Sequence, residues 1–223
     1  MKKILQGILC VLLLMFVPIH FSNTSEMIMT EQEKEVLKEM VRTQKLTNQI
    51  EKEYDLFYSH LISLNNSCFV DEFFERVMGP AIESKSLPSV AIAQAAIETG
   101  YGRSNKLKNN IFGIKGKGIR ASTYEVYNGR WVKIIANFQY FPTLTDAFNK
   151  HSEILHRYGA FGYDYEFWIN RIVARGYATD PRYQYKIRFV IDKYQLHRLD
   201  KIQMLKNKIK NKEICNPVVP FFV

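Results

Sequence analysis

The sequence predicts an α+β fold, mostly helical, with one small β-hairpin lobe. Three observations carry this. Apolar residues recur at helical spacing through most of the chain. Between Ile119 and Tyr140 the pattern changes to Thr, Tyr, Val, Ile and Phe, with Asn128-Gly129 in the middle. An almost wholly Ala/Ile stretch, "AIAQAAI", stops at Gly100 and Gly102.

The elements follow in order. Lys2 and Lys3 precede an apolar run from Ile4 to Val17, extended by Pro18, Ile19 and Phe21. Residues 1–22 therefore read as an N-terminal hydrophobic helix, either a signal anchor or a signal peptide. No clean small-x-small cleavage site follows, and the run reaches the ~17–25 residues that span a bilayer, which favours a retained anchor. The two lysines would hold that end in the cytoplasm and place the rest outside the membrane; secretion or wall association is the alternative. Residues 23–66 form a second zone. Thr30-Glu31-Gln32-Glu33 is a capping box, and Leu37, Met40, Val41, Ile50, Tyr54, Phe57 and Leu61 then recur along a long amphipathic helix over 31–63. Gln44 and Thr47 interrupt the stripe, so no continuous coiled-coil seam exists. The half from Ile50 to Leu64 is expected to dock on the body, and the half from Glu31 to Lys45 to be exposed as a stalk or a handle for a protein partner.

Residues 67–199 form the main domain. A helical segment at 70–85 is followed by Leu87-Pro88-Ser89, where proline suits a first helical turn. Gly100 and Gly102 supply the stop. Asn-Gly between "IRASTYEVY" and "RWVKIIANFQY" is a hairpin signal, because both turn positions take positive φ. Helices are expected at 143–157, 165–175 and 181–197, and residues 200–223 read as a basic tail.

Charge and cysteine usage bound the function. The formal charge of +9 suits polyanions, and export beyond a membrane removes nucleic acid from that set. Cys68 and Cys215 could bridge outside the cell, but their spacing does not decide it. The five histidines are scattered and no Cys/His spacing reads as a metal site, so neither metal nor cofactor is expected.

The chemistry concentrates on Glu98. It sits in the last turn of an apolar helix, where the negative end of the macrodipole disfavours a second negative charge. Ile97 and Tyr101 flank it and reduce solvation of the ionised form. Both effects raise a carboxyl pKa, as a general acid requires near neutral pH. Gln94, one turn back, is placed to hydrogen-bond the carboxyl.

"AIAQAAIETGYGRS" followed by "NNIFGIKG" resembles the signature of the bacterial β-N-acetylglucosaminidases of glycoside hydrolase family 73, which are peptidoglycan hydrolases. The resemblance continues through "TYEVYNGRWVKIIANFQYFPT" and "GYATDPRYQYKI", covering roughly Leu87 to Ile191. It implies a lysozyme-like fold and a peptidoglycan glycan strand as substrate. It implies Glu98 as the acid that protonates the glycosidic oxygen, Glu125 as the second carboxylate, and Tyr177 as an aromatic residue beside the acid. Asp180 and Tyr183 belong to the same block as Tyr177. Asn110, Phe112 and Gly113 would shape the cleft floor, with Gln94 and Tyr101 flanking the acid. The expected reaction is cleavage of the β-1,4 bond on the reducing side of N-acetylglucosamine. Two other readings stand beside it: a non-catalytic wall-binding module of the same shape, and a lytic transglycosylase, which needs only one acid.

Overall fold

The computed structural model describes residues 30–104, 106–127, 130–178 and 180–215, with the side chains of 125–127, 131 and 212–215 outside that description. The hydrophobic helix expected within residues 1–22 lies outside the described residues. Among the described residues no helix is long and apolar enough to cross a membrane. The chain divides into two units, residues 1–40 and 41–223.

The first helix, α1 (Glu31–Ser63), runs across that division. Within residues 1–40 the described part is its opening. Thr30 accepts from the Glu33 amide at 3.2 Å while Glu33 accepts from the Thr30 amide at 2.7 Å, the reciprocal cap read from the sequence. Residues 31–38 are exposed.

The second unit begins with the rest of α1, where Ile50, Glu53, Phe57 and Leu61 are buried, and the three apolar ones join the hydrophobic core. The buried stripe resumes past the polar interruption at Gln44 and Thr47. Glu53 is the odd member. Its carboxylate is buried among apolar neighbours but takes Arg198 at 2.9 Å and also Lys201. Burial alone pushes this carboxyl up; the ion pairs with Lys201 and Arg198 outweigh it and leave the pKa below the ordinary value.

Helix α2 (Cys68–Glu83) presents Phe73, Phe74, Val77, Met78, Ala81 and Ile82 to the core. Cys68, at its start, is an exposed free thiol that donates to Glu72 at 3.1 Å. Helix α3 (Pro88–Thr99) is the centre of the fold, with every residue from Pro88 to Ala96 buried. The hairpin follows as β1 (Gly118–Tyr127) and β2 (Arg130–Gln139), antiparallel, in register from Gly118 opposite Gln139 to Tyr127 opposite Arg130. Then come α4 (Leu144–Arg157), α5 (Tyr165–Ala174), α6 (Tyr183–Tyr194) and α7 (His197–Cys215). Helix α3 packs against α2, α4, α5, α6 and α7. Only small side chains allow approach from so many directions, which is why the helix is written in alanine.

At the C-terminal end of α3, Gly100 takes the left-handed conformation (φ 59°) and returns its amide to Ala96. At the base of the hairpin Gly118 has φ 124°, and a Cβ there would lie 2.6 Å from Cβ of Tyr140. No other residue fits that corner.

Residues 200–223 do not start as a tail. Leu199, Ile202 and Leu205 of α7 are buried in the common core, and so are Asp200 and Gln203. The amide of Gln203 donates into the loop between α2 and α3, with Ser84 O at 3.0 Å and Ser86 O at 2.9 Å. Asp200 accepts from the Ser89 amide at 2.7 Å, satisfying a free N–H in the first turn of α3. Its other oxygen is buried with no partner among the described residues, and burial raises the Asp200 pKa to about 7.

That shift makes folding sensitive to pH. The folded state keeps the Asp200 proton up to about pH 7, whereas an unfolded chain releases it near its ordinary value of about 3.9. Stability linked to this group is therefore complete below about pH 4 and is lost as pH rises to about 7. Asp200→Asn keeps the acceptor for Ser89 and removes the titration. The melting temperature of the parent, relative to this variant, should fall across that window and level off above it. A difference independent of pH would contradict the assignment.

Candidate active site

The last turn of α3 is the only part of that helix to surface, and it carries Glu98. The residue is open to solvent. Partial burial of its carboxyl by the surrounding protein nevertheless raises its pKa above the ordinary value.

Two phenols are close enough to feel the Glu98 charge. Tyr177 follows Gly176, which takes φ 73° at the end of α5, and its amide returns to Ile172 O at 3.0 Å. Burial and then the Glu98 charge push the Tyr177 pKa up to about 12. Tyr183 opens α6, and its ring lies 5.9 Å from that of Tyr177. Burial, then Tyr177 and Glu98, raise its pKa strongly against the opposing hydrogen bond from Gln94. Gln94 is buried one turn before Glu98, but it does not bond the Glu98 carboxyl as expected. Its Nε2 donates instead to the Tyr183 hydroxyl, a partner far away in sequence.

Asn110, Phe112 and Gly113, expected at the cleft floor, lie in the turn that precedes β1. Asn110 is buried and tied three ways: Nδ2 donates to Ile114 O at 2.9 Å and Gln139 O at 2.8 Å, and Oδ1 accepts from the Ile114 amide at 2.9 Å. It joins the "NNIFGIKG" turn to the end of β2. Gly113, at φ 63°, completes the reversal. Phe112 stacks on His151 of α4, with ring centroids 3.9 Å apart and planes 5° from parallel. His151 was not among the residues singled out by sequence. It sits on the buried stripe of α4 with Ala147, Phe148 and Leu155, where a histidine reads as packing.

Tyr101 and Asp180 are each held by contacts of their own. Tyr101, half-buried at φ 58°, lies in an aromatic cluster with Phe73, Phe74 and Tyr194, the ring of Tyr194 being 5.7 Å away. It has no ring contact with Tyr177 or Tyr183 among the described residues. Asp180 caps the entry to α6: its carboxylate accepts from the Arg182 amide at 2.9 Å and pairs with Lys186 at 2.6 Å, and its carbonyl accepts from the Tyr183 amide at 3.0 Å. It thereby places Tyr183 at the start of α6. Glu125 lies on β1 opposite Val132, and its side chain is outside the described residues. Among the described residues no cluster of three or more His, Cys, Asp or Glu side chains could hold a metal.

An acid at the end of a buried helix, two phenols beside it and a hairpin lobe beyond form the frame against which known proteins can be compared. The family model for glucosaminidases, described as mannosyl-glycoprotein endo-beta-N-acetylglucosaminidase, matches residues 79–196, just over half of the chain. The chain belongs to the glucosaminidase family of glycoside hydrolases. Within that family it is 32% identical over 132 residues to the exo-glucosaminidase LytG of Bacillus subtilis, a match covering 52% of this chain and 47% of that protein. It is 34% identical over 138 residues to the peptidoglycan hydrolase FlgJ of Vibrio parahaemolyticus, covering 52% and 45%. The chain thus spans less than half the length of these two curated relatives. The catalytic domain of the autolysin Auto from Listeria monocytogenes superposes with a TM-score of 0.50 at 28% identity, covering 60% of this chain and 89% of that one. The lysozyme-like α+β architecture expected for this glucosaminidase is the one observed. The family match ends at residue 196, so α7 and α1 lie outside it.

Asn110 offers a test of how this turn is held. Asn110→Leu leaves the Ile114 amide and the Gln139 carbonyl without the partner Asn110 gives them, at about 1–3 kcal/mol for each buried group left unpaired, while Ile114 O keeps the Gln139 amide at 2.9 Å. Amide exchange at Ile114 should accelerate far more than exchange in α3. Unchanged protection at that amide would show that the turn does not depend on this side chain.

Proposed function

We propose that this chain is a peptidoglycan hydrolase acting outside the cytoplasm, cleaving the β-1,4 bond on the reducing side of N-acetylglucosamine. Glu98 gives its proton to the glycosidic oxygen. Glu125, carried on the hairpin, serves as the second carboxylate that activates water or stabilises the developing positive charge. The observation that carries this reading is the raised pKa of Glu98, whose cause is burial at the end of α3. A general acid must hold its proton at working pH and still face the substrate; exposure at the helix end and a pKa raised by burial both act in that direction. The half-buried ring of Tyr177, backed by that of Tyr183, suits a sugar, whose C–H faces stack on aromatic surfaces.

The names of the relatives support a wall substrate: an exo-glucosaminidase of Bacillus subtilis, an autolysin of Enterococcus faecalis and probable N-acetylmuramidases of Lactococcus lactis. Because the last of these are named for cleavage at the other sugar, the bond itself needs its own experiment. Export rests on the charged and apolar character of residues 1–22, which would deliver the domain to the wall side as an anchored or a secreted protein.

Mass spectrometry of fragments released from purified peptidoglycan separates the readings. The parent should release products with N-acetylglucosamine at the reducing end. Muramic acid at that end, an anhydro-sugar, or no release would support respectively a muramidase, a transglycosylase or a binding module. Glu98→Gln should lower release by ~10²–10⁴-fold with unchanged circular dichroism, because an amide has no proton to give to the leaving oxygen. Near-parental activity in that variant would remove Glu98 from its role.

A further inference from the structure

His151 is almost fully buried (1% exposed) inside the cleft wall, and the reaction as described makes no use of it. One face of its ring is covered by Phe112, and its Nε2 lies 3.5 Å from the Tyr177 hydroxyl. Its Nδ1 is buried with no partner among the described residues. Burial lowers its pKa to about 3, so the ring is neutral at any pH where the fold works. A neutral imidazole carries one N–H, and its placement follows from these contacts. With the proton on Nδ1, a buried donor would be left without an acceptor, which is rare and costly. With the proton on Nε2, the unused group is a lone pair, and the N–H faces the Tyr177 oxygen.

That choice fixes the direction of the next hydrogen bond. If His151 donates to the Tyr177 oxygen, the phenol proton cannot point back to His151 and must be directed elsewhere. Glu98 is the carboxyl whose charge acts on Tyr177. We propose that His151 is a positioning residue: as the Nε2–H tautomer it donates to the Tyr177 hydroxyl and commits the Tyr177 proton to the Glu98 carboxylate as that carboxylate forms. The inference rests on Glu98 acting as the acid. In the step itself the Glu98 proton passes to the glycosidic oxygen and the C–O bond breaks. Tyr177 keeps its proton and contributes a hydrogen bond to the new anion.

Among the described residues the titratable groups that sense Glu98 are Tyr177 and Tyr183, and both phenols stay protonated well above neutral pH. The alkaline limb of kcat therefore reports Glu98. His151→Leu should lower kcat on the order of 10- to 100-fold, the worth of one hydrogen bond to a charged group, and move that limb to higher pH with KM little changed. His151→Gln, whose amide can donate from a similar position, should recover most of both. In a Tyr177→Phe background His151→Leu should add nothing, since the group it positions is gone. Equal effects of His151→Leu with and without the Tyr177 hydroxyl, or a limb that does not move, would overturn the proposal. Long-range ¹⁵N–¹H spectra of the parent protein read the tautomer without any variant: Nε2–H supports the proposal and Nδ1–H overturns it. Glu98→Gln is measured alongside. If that variant is active, the acid assignment fails; if it is inactive while the His151 results are negative, only the positioning role fails.

Discussion

Everything in the catalytic body is arranged around one constraint, the near-complete burial of α3. A helix enclosed from Pro88 to Ala96 cannot leave its end groups to water, so each end needs an internal partner. Asp200 supplies the acceptor for Ser89 at the start, and Gly100 turns the backbone so that its amide returns to Ala96 at the finish. The side chains must be small because five helices press on them. What remains accessible is the final turn, and the residue it offers is an acid. Burial of the helix thus fixes where Glu98 stands, and the protein around that last turn raises its pKa. The same packing energy that holds the core together sets the proton affinity of the group on its rim.

The two segments outside the family match are part of this arrangement. Helix α7 reaches the first turn of α3 through Asp200 and the preceding loop through Gln203. Helix α1 in turn fastens α7 through Glu53, which takes both Arg198 and Lys201. A buried carboxylate with two cations is worth little against an apolar replacement, but losing one partner is costly because a charge is left alone in the core. The pair therefore specifies how α1 and α7 meet more than it adds stability.

Much of this was legible in the sequence where the signal is local. The capping box at Thr30, the stop at Gly100 and the hairpin around Asn128-Gly129 each depend on a few adjacent residues, and the observed elements agree with all three. Helix α7 was missed because Asp200 and Gln203 stand among lysines, and buried polar residues look like surface until their distant partners are known. Gln94 was given the wrong partner for the same reason, since Tyr183 lies on another helix. Tyr101 follows the Gly100 turn in a positive-φ conformation and joins the Phe73, Phe74 and Tyr194 cluster, a set of partners scattered along the sequence. His151 is the clearest limit, because a histidine on an apolar stripe carries no sequence mark of what its ring will touch.

The proton on Glu98 is the quantity on which these observations converge. Carbon-13 NMR of the side-chain carboxyls, recorded across pH and assigned through Glu98→Gln, titrates that group in the intact protein. The account predicts a midpoint above the ordinary glutamate value of about 4.3. A midpoint at or below that value would mean a solvated surface carboxylate, and would contradict the link between the burial of α3 and acid catalysis.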